Sequence, residues 1–129
     1  MDYNQKVAND QSKNLGIDFD GVIHNDNLGF HDGTVYGEPI EGSLESIKLL
    51  SEFFNIIIFT AKAKKDRPLI DGKSGAELVE EWLLKHDVLK FVSDVTAEKP
   101  RALLYIDDKG FRFENWQDTM SFIKSINEI

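Results

Sequence analysis

The chain has 129 residues, 41% of them hydrophobic and 29% charged, which suits one globular domain with its own core. It has no cysteine, so disulfides and thiolate metal sites are excluded. A formal net charge of −8 argues against nucleic acid or an anionic membrane as a partner of the whole surface.

Met1 to Lys13 reads as a polar N-terminal tail without the apolar stretch of a signal peptide, and 14–129 as a single core domain. No apolar run approaches a membrane span, so a cytoplasmic protein with no membrane partner is expected. Leu15 to Asp20 reads as a buried strand, yet it carries Asp18 and Asp20. Burying two carboxylates together costs several kcal/mol, roughly, unless a counter-charge offsets it, and a divalent cation is the usual one.

His24 to Pro39 is rich in Gly, Asn and Asp and predicts a turn-rich excursion, with a small hairpin as one form. Phe30, His31 and Tyr36 within it are candidates for a rudimentary lid, against simple packing of the hairpin. Leu44, Ile47, Leu49, Leu50 and Phe53 have helical spacing, with Ser43 as the N-cap. Asn55 to Phe59 is a continuous apolar strand of the kind covered on both faces.

Thr60 to Lys73 is a polar loop. Its Ala61–Lys73 part has five basic residues (Lys62, Lys64, Lys65, Arg67, Lys73) against two acids. Ser74 caps a helix running to about His86, with Leu78, Trp82 and Leu83 inward. Leu89 to Val92 predicts a short strand, Ala102 to Ile106 another, and Asp118 to Ile126 a last helix. Asp107 and Asp108 follow the final strand.

This order predicts an α/β fold: a three-layer, Rossmann-like arrangement with a central parallel sheet and helices on both faces. Ligands of such sheets bind at the carboxyl ends of the strands. Asp18, Asp20, Thr60, Asp107 and Asp108 all fall at those ends.

Four features taken in order resemble the haloacid dehalogenase-like superfamily of phosphohydrolases. They are Asp18-Phe19-Asp20-Gly21-Val22 after a strand, Thr60 after Ile57-Ile58-Phe59, Lys99 in Ala97-Glu98-Lys99-Pro100, and the pair Asp107-Asp108. The resemblance covers about Leu15 to Trp116. It implies a Mg²⁺-dependent phosphomonoesterase that works through an aspartyl-phosphate.

By the same resemblance Asp18 is the nucleophile, and Asp20 is the general acid and then the base. Thr60 and Lys99 hold the phosphoryl oxygens. Asp18, Asp20 and Asp108 form the metal set, with Asp107 beside them. Lys62, Lys109 and Arg112 are candidates for substrate contact. Val22 to Ile40 and Ala61 to Glu98 are too short for the cap domain that many members carry, so a capless member is expected. Its substrate is a phosphorylated small molecule or a phosphorylated nucleic-acid end, and oligomeric state is open.

Two alternatives use similar residues. A receiver-like phospho-acceptor has its acidic pair on the first strand and its lysine last, whereas here the acidic pair follows Lys99. A catalytically silent binding module on the same fold does not need the full set of side chains.

Overall fold

The computed structural model describes residues 13–107 and 111–127. In chain order these form β1 (Asn14–Asp18), α1 (Ser43–Leu50), β2 (Asn55–Phe59), α2 (Gly75–Lys85), β3 (Asp94–Thr96), β4 (Leu104–Asp107), β5 (Phe111–Arg112) and α3 (Trp116–Asn127). Across the sheet the order is β3-β2-β1-β4-β5, and every neighbouring pair is parallel. The protein has an α/β fold, as the alternation of apolar strands and amphipathic helices predicts. β5 is a two-residue edge, and the other four strands make the body of the sheet.

The register sorts the strand residues onto two faces. Leu15 pairs with Ile56 and Leu104, and Ile17 with Ile58 and Ile106. Leu15, Ile17, Ile56, Ile58 and Ile106 are fully buried. Ile47 and Leu50 of α1, Val79 and Leu83 of α2, and Ile123 of α3 join them in one apolar cluster. The opposite face carries Gly16, Asp18, Ile57, Phe59, Tyr105 and Asp107. There Ile57, Phe59 and Tyr105 are only half-buried and stand outside that cluster. The core of the described residues therefore lies against one face.

Several boundaries differ from the sequence expectation. Leu89–Phe91 is a 3-10 turn, not a strand, and the strand is Asp94–Thr96. Leu89, Phe91 and Val92 serve as packing against the core. The N-cap of α1 is Gly42, with φ +84°, instead of Ser43. Ser43 is buried in the first turn, and its hydroxyl finds no partner among the described residues. α1 ends at Leu50, so Phe54 is buried and Phe53 faces outward.

Ser74 does cap α2, through a reciprocal capping box with Glu77. α3 starts two residues earlier than Asp118. Asn115 Oδ1 accepts from the Asp118 amide at 2.8 Å, which makes Asn115 the capping side chain.

Candidate active site

After β1 the chain steps outward to β2 and β3, then returns to place β4 on the other side of β1. That reversal opens a crevice between β1 and β4 at their carboxyl ends, where open α/β sheets bind ligands. Asp18 ends β1 and Asp107 ends β4, each one residue beyond the Ile17–Ile106 pair. The two carboxylates thus stand side by side on one sheet face. Asp18 is half-buried and Asp107 buried.

Beyond β1 the chain turns back on itself. Gly21 has φ +82°, a conformation that favours glycine. Its turn is held by the His24 amide donating to the Phe19 carbonyl and the Gly21 amide donating to the His24 carbonyl. This returns His24 to Asp20, and its Nδ1 lies 2.8 Å from Asp20 Oδ1. The Gly37 amide donates to the other ring nitrogen, Nε2, at 2.8 Å. Nε2 is then an acceptor, so the proton that points at Asp20 is carried on Nδ1.

His24 is fully buried. It stacks on Phe19 at 5.2 Å between centroids and meets Tyr36 and Trp82 edge-on. Trp82 of α2 donates from Nε1 to the Gly37 carbonyl at 2.9 Å. One residue, Gly37, therefore links the helix to the imidazole. A Cβ at Gly37 would stand 1.9 Å from the Asn25 carbonyl oxygen, so only glycine lets the excursion close there.

The second oxygen of Asp20 belongs to Lys62. Thr60 lies one residue past β2, and its Oγ1 accepts from the Lys62 amide at 3.2 Å. That bond starts the 3-10 turn Ala61–Ala63 and aims Lys62 inward. Lys62 is only 2% exposed, and its Nζ is 3.0 Å from Asp20 Oδ2. A buried ammonium requires such a partner. Burial pulls the Asp20 carboxyl upward, but the hydrogen bonds from His24 and Lys62 and the Lys62 charge outweigh it. Its pKa lies below the ordinary carboxylate value, so it is ionised at neutral pH.

Across the crevice, Lys99 Nζ is 2.7 Å from Asp107 Oδ2. The Lys99 ammonium also sits 4.3 Å from the centre of the Tyr105 ring. Tyr105 Oη donates to the Pro100 carbonyl at 2.5 Å and so ties down the segment that carries Lys99. A Cβ at Gly16 would come within 2.9 Å of the Tyr105 ring. The missing side chain at Gly16 is what lets that ring lie on the sheet.

The carboxyl edge thus gathers Asp18, Asp20, Thr60, Lys99 and Asp107. Asp108 and Lys109 lie outside the described residues. Lys62 is engaged with Asp20 instead of reaching toward solvent. Arg112 is exposed on β5, opposite Asp107 in register.

Sequence reasoning missed His24, although its position four residues after Asp20 and a turn glycine was a usable signal. It also missed the Gly37–Trp82 support, which no local pattern announces. Among the described residues no three His, Asp or Glu side chains are grouped to hold a metal ion. Asp18 and Asp107 are hard oxygen donors of the kind Mg²⁺ takes. That ion is commonly held by one or two carboxylates, with water and substrate phosphate completing its shell. Asp20 accepts from His24 on one carboxylate oxygen and from Lys62 on the other, and each oxygen keeps a second lone pair.

No family model, curated protein or solved structure matches the chain.

Proposed function

We propose that the protein is a phosphomonoesterase that works through an aspartyl-phosphate, on a capless, three-layer Rossmann-like scaffold of the haloacid dehalogenase-like kind. The observation that carries this reading is the convergence at one crevice of Asp18, the doubly clamped Asp20, Thr60 and the Lys99–Asp107 pair. The described residues contribute the parallel sheet and a helix layer against one of its faces.

In the first step an Asp18 oxygen attacks phosphorus and the bond to the leaving oxygen breaks. The leaving oxygen takes a proton from Asp20. Asp20 is ionised in the free protein, so it must first acquire that proton. A phosphate monoester arriving as its monoanion carries one, its second pKa being about 6, and the negative phosphate beside Asp20 raises the affinity of that carboxylate for the proton.

In the second step water attacks phosphorus, Asp20, again a carboxylate, takes the proton that the water gives up, and the phosphorus–oxygen bond to Asp18 breaks, releasing phosphate and restoring the Asp18 carboxylate. The Thr60 oxygen already accepts from the Lys62 amide, so its own proton is the one it can offer a phosphoryl oxygen. Lys99 offsets charge on the phosphoryl group. Mg²⁺, held by Asp18 and Asp107 together with Asp108, would offset the repulsion between carboxylates and phosphate. The test is a phosphate-release screen over phosphate monoesters, with Mg²⁺ and with chelator. Release that depends on Mg²⁺ is expected, and no release from any ester rejects the reading.

His24 acts here as a positioning residue. His24→Phe keeps a ring against Phe19 and Trp82 but removes one of the two donors that fix Asp20. We expect leaving-group release in a single turnover to slow by about 10- to 100-fold, with KM little changed. The loss should be larger for alkyl than for aryl phosphates, since a poor leaving group depends more on the acid. Equal losses for both classes would reduce His24 to a packing residue.

A further inference from the structure

Beside the carboxylate crevice lies a second concavity that the proposed chemistry leaves unused. It is a pocket of about 230 Å³ between the excursion and the basic loop, lined by Phe30, His31, Asp32, Lys62, Arg67 and Pro68 among others. Lys62 belongs to both places. It lines the pocket, and its Nζ reaches Asp20 Oδ2 at 3.0 Å.

Asp20 is the group that would protonate the leaving oxygen, so the leaving group must depart on its side. We propose that this pocket receives the leaving alcohol, and that it selects a flat, ring-bearing alcohol of the nucleoside class. The proposal rests on the phosphomonoesterase reading of the neighbouring crevice.

The walls carry the choice of class. Phe30 is 46% exposed, a large outlay of aromatic surface for a small protein. The Arg67 guanidinium lies 4.5 Å from its ring centre and Lys62 Nζ lies 4.9 Å away. Arg67 is itself anchored, with Nε donating to the Ala61 carbonyl at 2.9 Å. Phe30, His31 and the Arg67 plane are three flat groups on one small cavity. Flat rings and guanidinium planes are the surfaces on which bases stack.

A sugar-like polyol has no flat face to set against Phe30, His31 or Arg67, and the one acid on this wall is already engaged through one oxygen. Asp32 already accepts from the Thr34 amide and hydroxyl through Oδ1. A cavity of this volume holds one ring-bearing group and not a polymer. Nucleoside monophosphates are then the substrates with the best match, and a phosphorylated strand end presents the same group.

The experiment compares initial rates with Mg²⁺ on nucleoside 3′- and 5′-monophosphates, glycerol 3-phosphate and acetyl phosphate. At least one nucleotide should exceed glycerol 3-phosphate in kcat/KM by about tenfold or more. Phe30→Ala and Arg67→Ala should each remove most of that advantage through KM, and leave acetyl phosphate unchanged. Equal use of nucleotide and polyol overturns the proposal, as does a loss that acetyl phosphate shares.

If no ester is hydrolysed, the phosphatase reading fails, and the pocket is judged by titrating adenosine while following amide NMR shifts. Saturable shifts around Phe30 and Gly33 that vanish in Phe30→Ala keep the assigned ligand class. Their absence in the wild-type protein overturns it.

Discussion

Asp18→Asn is expected to abolish phosphate release, by at least about a thousandfold, with the fold intact. The amide has the shape of the carboxylate but lacks the charge that attacks phosphorus. Asp18 is half-buried at the end of β1, and its pairing with Phe59 is made by the backbone, which the substitution keeps. The variant should therefore melt near the wild-type temperature. Acid-quenched protein exposed to ³²P-labelled ester should carry label in the wild type and none in Asp18→Asn. Near-normal turnover in the variant would remove Asp18 from the nucleophile's role, and the covalent mechanism with it.

Gly75→Ala should be the most damaging single-methyl change in the α2 region, costing about 3 kcal/mol or more. Helix propensity predicts the opposite sign, since alanine is favoured over glycine by about 1 kcal/mol inside a helix. Sterics decide the outcome here. A Cβ on Gly75 would lie 1.6 Å from the Lys62 carbonyl oxygen and 2.5 Å from its carbon. Both partners are backbone, so no side chain can swing aside.

Relief requires α2 to move off the Ala61–Ala63 turn, and Lys62 moves with that turn. The variant should thus lose both denaturation midpoint and turnover, and the Asp20–Lys62 pair should loosen. A urea titration and a rate measurement on the same preparation check the two effects. An unchanged or raised midpoint would mean that the helix start and the turn are less closely packed than described.

Much of this architecture was legible in the chain. Leu15–Asp18 and Asn55–Phe59 announce themselves because their faces toward the helices are wholly apolar. Ser74 with Glu77 three residues later marks the start of α2 by a local device that tertiary packing did not override. The third strand was misplaced because Leu89–Val92 has the apolar residues while Asp94–Thr96 has the pairing. Its position is set by backbone contacts to Ile57–Phe59, which composition does not report.

The acids and Thr60 of the candidate site could be read from their places at strand ends. Lys62, a candidate for substrate contact, lies in a polar loop among basic neighbours. Its engagement with Asp20 comes from the Thr60 turn and spans a separation of 42 residues, and no local pattern encodes it. His24 was visible in principle. A histidine four residues past an acid, across a turn glycine, is a spacing that brings the two together.

The pairs that organise the crevice differ greatly in the length of chain they close. His24 meets Asp20 within four residues. Lys99 and Asp107 are joined by a connection with no helix in it. Both can form while most of the chain is still searching, at little loop-closure cost. The Lys62–Asp20 contact is different, for it closes a loop containing α1 and β2 and exists only once β2 has paired with β1. Partial opening between those strands would leave each local pair intact yet separate the lysine from its acid. Competence at this edge is therefore tied to the cooperative docking of two strands, and a chain that is nearly folded is not yet nearly active.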